Sequence, residues 1–127
     1  MLANDPIYPT LPAADLERAK RFYADKLGLT PESEFPGGLL YRCGKDSRFS
    51  VFLSQGEAGG THTQAMWLVE DVKSEVAALK ARGVVFEEYD LPSLSTVNSI
   101  ATAGPIKGAW FQDSEGNLLS LGQFDQA

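Results

Sequence analysis

An internal repeat constrains this chain more than any other feature. Asp15 and Asp71 stand about 56 residues apart, and each opens a run with helical spacing. In the first run Leu16, Ala19, Phe22, Tyr23 and Leu27 recur on one face, and Gly28 follows as a stop. In the second, Val72, Val76, Leu79 and Lys80 lie along the helix and Gly83 ends it. Aligning the aspartates places Leu16 on Val72, Ala19 on Glu75 and Phe22 on Ala78, so the halves share a pattern and few letters. Aspartate suits both starts because its side chain accepts from an otherwise unpaired backbone N–H of the first turn. Such a repeat predicts two strand–helix–strands modules of about 55 residues each. Neither would be stable alone, because each sheet needs a second face covered.

The strands follow from alternation and punctuation. Ile7–Pro12, with prolines at 9 and 12, reads as an edge strand. Leu39–Cys43 and Phe49–Ser54 read as two strands joined by a turn at Gly44–Ser47. Gln64–Val69 opens the second module, after a loop containing Gly59 and Gly60, and Val84–Phe86 starts a further strand. Gly108–Phe111 and Leu118–Leu121 read as a hairpin around Asp113-Ser114-Glu115-Gly116-Asn117, where Asp, Gly and Asn supply turn chemistry. The Glu87–Pro105 segment is the least regular, broken by Pro92, Gly104 and Pro105 and rich in small polar residues over Ser93–Ser99. It reads either as an exposed connection or as a loop over a pocket mouth.

The totals bound the class. A chain of 127 residues fits one domain, 1–127, with module one at about 5–56 and module two at about 61–124. A net charge of −6 argues against a nucleic-acid partner, which needs a basic face. No apolar run approaches the roughly 18 residues of a membrane helix. The opening residues MLANDPIYPT lack a basic stretch followed by an apolar one, so no signal peptide is read and a cytoplasmic location is expected. The single cysteine, Cys43, allows neither an internal disulfide nor a cysteine-based zinc site.

Three segments now resemble one family. Leu11–Leu29 (LPAADLERAKRFYADKLGL), Val69–Val84 (VEDVKSEVAALKARGV) and Ala109–Leu121 (AWFQDSEGNLLSL) are similar to the first helix, second helix and closing hairpin of the glyoxalase/bleomycin-resistance/extradiol-dioxygenase (vicinal oxygen chelate) superfamily. The resemblance spans nearly the whole chain, in order. It implies an α+β fold: two βαβββ modules forming a curved, mixed or antiparallel eight-stranded sheet around a cavity, with the helices outside. It also implies a homodimer.

The superfamily's metal enzymes place His, Glu or Gln at four inward-facing strand positions. Carried over one at a time, these fall on Tyr8, Phe52, Gln64 and Ser120. A divalent ion needs converging imidazole or carboxylate donors, and only Gln64 among the four is a familiar ligand. No metal and no cofactor is therefore expected, and metal-dependent lyase or dioxygenase activity loses its footing.

Alternation then sorts the faces. Phe49, Val51 and Leu53 are expected against the helices, with Ser50, Phe52 and Ser54 toward the cavity. Ala65, Trp67 and Val69 are expected outside, with Gln64, Met66 and Leu68 inside. Tyr8, Thr10, Gln64 and Ser120 would offer the pocket a phenol, hydroxyls and an amide. Phe52, Met66 and Trp110 would form its walls, and Arg42 would pair with an acidic ligand. Against these stand plainer roles, as core packing or solvated edge residues. His62 is a candidate base or a loop residue, and Cys43 a candidate thiol or inert packing. The Glu17/Arg21, Glu75/Lys80 and Glu87/Glu88 charges read as solvated faces, and Asp113 as a turn residue. The leading expectation is metal-free capture of a small planar or aromatic molecule. The rivals are an enzyme of the same superfamily and a non-catalytic dimeric accessory module.

Overall fold

The computed structural model describes residues 2–4, 6–54, 62–92 and 94–124. Gly59, Gly60 and Ser93, and the expected module limits at 5, 56 and 61, lie outside the described residues. After a short 3-10 turn at Leu2–Asn4, the first module runs β1 (Thr10–Ala13), α1 (Leu16–Leu27), β2 (Ser33–Phe35), β3 (Gly38–Cys43) and β4 (Ser47–Leu53). The second runs β5 (Ala65–Leu68), α2 (Val72–Ala81), a ribbon of β6 (Asp90–Leu91) and β7 (Leu94–Ser95), then β8 (Ala101–Ala103), β9 (Ile106–Gln112) and β10 (Leu118–Phe124).

The repeat is realised in the topology. The sheets are ordered β1-β4-β3-β2 and β5-β10-β9-β8. In each, the strand before the helix pairs parallel with the module's last strand and the remaining pairs are antiparallel. The fold is thus α+β, with eight strands in two matching four-stranded sheets and the β6–β7 ribbon as an insertion in module two.

Local chemistry sets the helix limits. Asp15 accepts from the Arg18 N–H at 3.1 Å, and Asp71 from the Lys73 N–H at 3.1 Å. Gly28 closes α1 in the left-handed region at φ 71°, where a glycine meets no Cβ penalty. Helix α1 buries Ala19 and Tyr23, and α2 buries Val72 and Val76. They pack on one continuous core with Leu11, Tyr41, Phe49, Val51, Phe111 and Leu119. Its centre is aromatic: Tyr41 and Phe49 stack at 4.9 Å, and Tyr23 lies 5.2 Å from Tyr41.

Three expectations change. Leu53 is 55% exposed, because it ends β4 where the sheet runs past the core. Val84–Phe86 is not a strand. Phe86 makes one bridge to Phe111 and the Glu87 N–H donates to the Trp110 carbonyl, but the pairing does not extend along β9, whose Ile106–Gly108 stretch pairs with β8. Glu88 is not a plain solvated charge. It accepts from the Ser99 hydroxyl, from the Ser99 N–H at 3.0 Å and from the Thr96 hydroxyl at 2.9 Å. These bonds hold its carboxyl below the usual carboxylate range, the Ser99 hydroxyl first and Thr96 next.

The β9–β10 turn locks the modules together. Glu115 accepts from the backbone N–H groups of Ala14 and Asp15, at 2.9 and 3.0 Å, and pairs with Arg18 at 2.7 Å. Tyr23 donates its hydroxyl to buried Asp113 at 2.7 Å, and Asn117 donates to the Pro12 carbonyl at 2.9 Å. Both Asp113 and Asn117 are therefore turn residues, as expected, and also tertiary anchors.

Tyr41 is the exception to this satisfaction. Its side chain is buried and its hydroxyl has no hydrogen-bond partner among the described residues. Burial pushes its pKa up to about 12. An unpaired buried hydroxyl costs about 1–3 kcal/mol of desolvation. Tyr41→Phe is expected to leave stability unchanged or raise it by up to about 1 kcal/mol, read by urea denaturation. A loss above about 1 kcal/mol would show that the hydroxyl is paired in solution.

Candidate functional site

The second sheet turns one face to α2 and leaves the other as an open trough. Ser120 pairs in register with Met66 on one side and Trp110 on the other, so the three side chains stand abreast. Two residues along, Gly122 pairs with Gly108 and Leu68. A Cβ at Gly122 would lie 2.6 Å from the Met66 sulfur, and one at Gly108 would lie 3.2 Å from the Trp110 ring. The glycines thus let Met66 and Trp110 lie across the sheet over a floor of small residues. Leu94, Ile106 and Phe124 complete the wall of a cavity of about 280 Å³.

Trp110 is also the partition to a neighbouring hollow. Its indole N–H donates to the Thr63 hydroxyl at 3.0 Å, and Tyr89 meets its ring edge-on at 5.7 Å. That hollow, about 580 Å³, is bordered by His62, Tyr89, Leu91 and Leu94. Burial, and then the Glu87 charge, raise the Tyr89 pKa, so its phenol stays protonated at neutral pH. Leu91 and Leu94 come from the β6–β7 ribbon, so the irregular Glu87–Pro105 segment borders both spaces. Glu88 positions that segment by fixing Ser99, which sits at φ 74° behind Asn98 at φ 53°.

Of the residues expected in the pocket, the structure brings Met66, Trp110 and Ser120 together. The others lie apart. Tyr8 is 39% exposed and precedes β1. Thr10 is exposed and pairs with Ser50, while Phe52 is half-exposed between Pro12 and Gly38 in the first sheet. Arg42 donates to the Lys45 carbonyl at 3.2 Å and lines a separate cleft of about 310 Å³ with Cys43 and Trp67. In that cleft the Trp67 indole N–H points at the Cys43 sulfur at 3.5 Å. His62 is exposed.

Gln64 is spent on structure. Its amide N–H donates to Asn117 at 2.9 Å, and its carbonyl accepts the Leu118 N–H at 3.1 Å. A phenol, a phenyl ring, an engaged amide and a hydroxyl do not fit a divalent ion. Among the described residues no group of three or more His, Cys, Asp or Glu is placed to hold one. Sequence reasoning missed Gly108, Gly122, Leu94 and Phe124. The two glycines, which carry no side chain on the trough face, were the signal available for a hollow there.

The comparisons agree with this fold. A family model described as bleomycin resistance protein-like N-terminal matches residues 7–38. No curated protein matches the chain in sequence. A glyoxalase/bleomycin resistance protein/dioxygenase from Alicyclobacillus acidocaldarius superposes with a TM-score of 0.68 at 23% identity, covering 97% of this chain and 93% of that one. A protein of the same description from Nocardioides gives 0.67 at 20% identity, covering 98% and 87%. TnmS3, an antibiotic binding protein from Streptomyces sp. CB03234, gives 0.63 at 21% identity, covering 96% and 98%. With its paired modules and its bleomycin-resistance-like first segment, the chain has the fold of the glyoxalase/bleomycin resistance protein/dioxygenase superfamily.

Proposed function

We propose that this protein binds a small planar or aromatic molecule in the Trp110–Ser120–Met66 trough, without a metal ion, as a homodimer. The observation that carries the reading is the trough itself, in which the Trp110 ring lies over Gly108 and the Met66 thioether over Gly122 and both border the cavity. A flat ring system gains most from such a slot, through stacking on indole and contact with polarisable sulfur. Ser120 supplies a hydroxyl to orient the ligand. Lys107 is the one ionisable residue among the described residues of the trough, and its side chain belongs to the other face of the sheet, which leaves little means for acid–base chemistry on the ligand. TnmS3, an antibiotic binding protein of the same fold, is a precedent for capture. Exposed Phe52, Met66, Leu68, Ile106 and Phe124 give a second copy apolar surface to cover.

The test is a titration with N-phenyl-1-naphthylamine, a neutral fused aromatic whose emission rises on burial. Trp110→Ala and Met66→Ala are each expected to weaken binding about tenfold, worth roughly 1.4 kcal/mol. Arg42→Ala, on the other cleft, should leave it unchanged. Equal affinity in all three folded variants would remove the trough from the function. Sedimentation of the free and loaded protein reads the dimer in the same experiment.

A further inference from the structure

A cavity larger than the trough lies on the opposite face of the same sheet, and its charge is inverted relative to the molecule. Along β9 and β10, Ala109 and Leu121 face the core; Lys107 and Gln123, two residues away on each strand, share that face. Gln123 confirms it by accepting the Val72 N–H of α2 at 2.8 Å. Trp110 and Ser120 belong to the other face. Beyond the end of the core, α2 and the 95–102 segment therefore diverge and leave a cleft of about 660 Å³. That is the size of a small-molecule site.

Lys73, Lys80 and Lys107 all line this cleft, and Asp71 is the one carboxylate among its lining residues. The chain as a whole carries −6. The Asp71 carboxylate accepts from the Lys73 N–H in the helix cap; the Glu88 carboxylate, held by Ser99 and Thr96, is not a lining residue but attracts Lys80. Between the lysines the wall is apolar, made by Val76, Ala77, Val97 and Ile100. Val97 is 75% exposed there. A two-residue turn holds it in place, with Val97 and Ile100 exchanging backbone hydrogen bonds at 2.9 and 3.1 Å. A concave apolar surface rimmed by one sign of charge concentrates ligands of the opposite sign.

We infer that the cleft between α2 and the Val97 turn is a second binding site, for an amphipathic organic anion. Its hydrocarbon body lies on Val76, Val97 and Ile100, and its carboxylate or phosphate head meets Lys73, Lys80 and Lys107. The site opens on the other face of the sheet from the trough, and the two share only Ser95, Thr102 and Lys107 among their lining residues.

Sodium decanoate is the probe, with decanol as its uncharged counterpart. Decanoate is expected to bind at least tenfold more tightly than decanol and to shift the amide resonances of Val76 and Val97. The double variant Lys73→Gln/Lys80→Gln should cut decanoate affinity at least tenfold with an unchanged circular dichroism spectrum, whereas Trp110→Ala should not affect it. Equal affinity for acid and alcohol would overturn the inference. So would indifference to the lysine substitutions, shifts confined to Trp110 and Ser120, or no binding of either compound. A failed trough with an intact decanoate response, or the reverse, separates the two readings.

Discussion

Asp113→Ala is expected to lower the stability of the protein by about 3–5 kcal/mol, the largest single effect outside the apolar core. The Asp113 carboxylate is 6% exposed and accepts four hydrogen bonds. They come from the Tyr23 hydroxyl at 2.7 Å, the Asn117 side-chain amide at 2.8 Å, and the backbone N–H groups of Glu115 and Asn117 at 2.8 and 2.9 Å. Alanine would orphan all four donors, and Tyr23 and Asn117 are themselves 0% exposed. Each buried donor without a partner costs about 1–3 kcal/mol, and water reaching the opened turn recovers part of it. Burial first, and then the Asp113 charge, push the Tyr23 pKa well above its ordinary value, so the phenol remains the donor. Tyr23→Phe removes one bond and leaves the carboxylate its other three, so its loss should be nearer about 1 kcal/mol. Urea denaturation of the two variants checks the ranking. A loss below about 1 kcal/mol for Asp113→Ala would mean that the turn does not hold the modules together.

That network also shows where sequence reasoning reached and where it stopped. The helices were legible because their causes are local. Asp15, Asp71 and Gly28 act within one turn of chain, and the helical spacing of Ala19 and Tyr23 or Val72 and Val76 identifies the buried stripe. The 113–117 turn was legible for the same reason, but its reach to Pro12, Ala14 and Tyr23 was not. Those contacts join residues about a hundred positions apart, and no spacing rule encodes them.

The candidate site divides along the same line. Met66, Trp110 and Ser120 followed from strand alternation, which fixes the face once the register is known. Gln64 also lies on a predicted segment, yet its amide is committed to Asn117 and Leu118, which only the fold brings near. Tyr8 precedes β1 and Phe52 belongs to the first sheet, and alternation within a strand says nothing about where another module's sheet will stand. The β6–β7 ribbon was hidden because its strands are two residues long, too short for any period to register. Its borders on the trough depend on Glu88, whose sequence context resembles an ordinary exposed charge.

Acid should unlock the module junction through Glu115. Its side chain is 1% exposed, and its carboxyl is held down to about 2, first by the hydrogen bond from Arg18 and then by the Asp15 N–H and the Ser114 hydroxyl, against the opposing cost of burial. In the unfolded chain the same group titrates near its ordinary value of 4.5. A carboxyl whose folded pKa is depressed contributes stability that is complete above the unfolded value and disappears as pH falls through the folded one. The window is therefore between about 4.5 and about 2. A difference of this size corresponds to about 3 kcal/mol at neutral pH. Because the Arg18 side chain is 49% exposed, solvent screening reduces the usable part to about 2 kcal/mol. Glu115→Gln keeps an acceptor for the Ala14 and Asp15 N–H groups but loses the charge. It should be about 2 kcal/mol less stable than the parent at pH 7, with the gap closing steadily below pH 4.5 and nearly gone at pH 2. Denaturation midpoints of the two proteins across that range measure the gap directly. A constant difference at all pH values would assign the loss to geometry alone, and the ion pair would then contribute nothing to joining α1 to the β9–β10 turn.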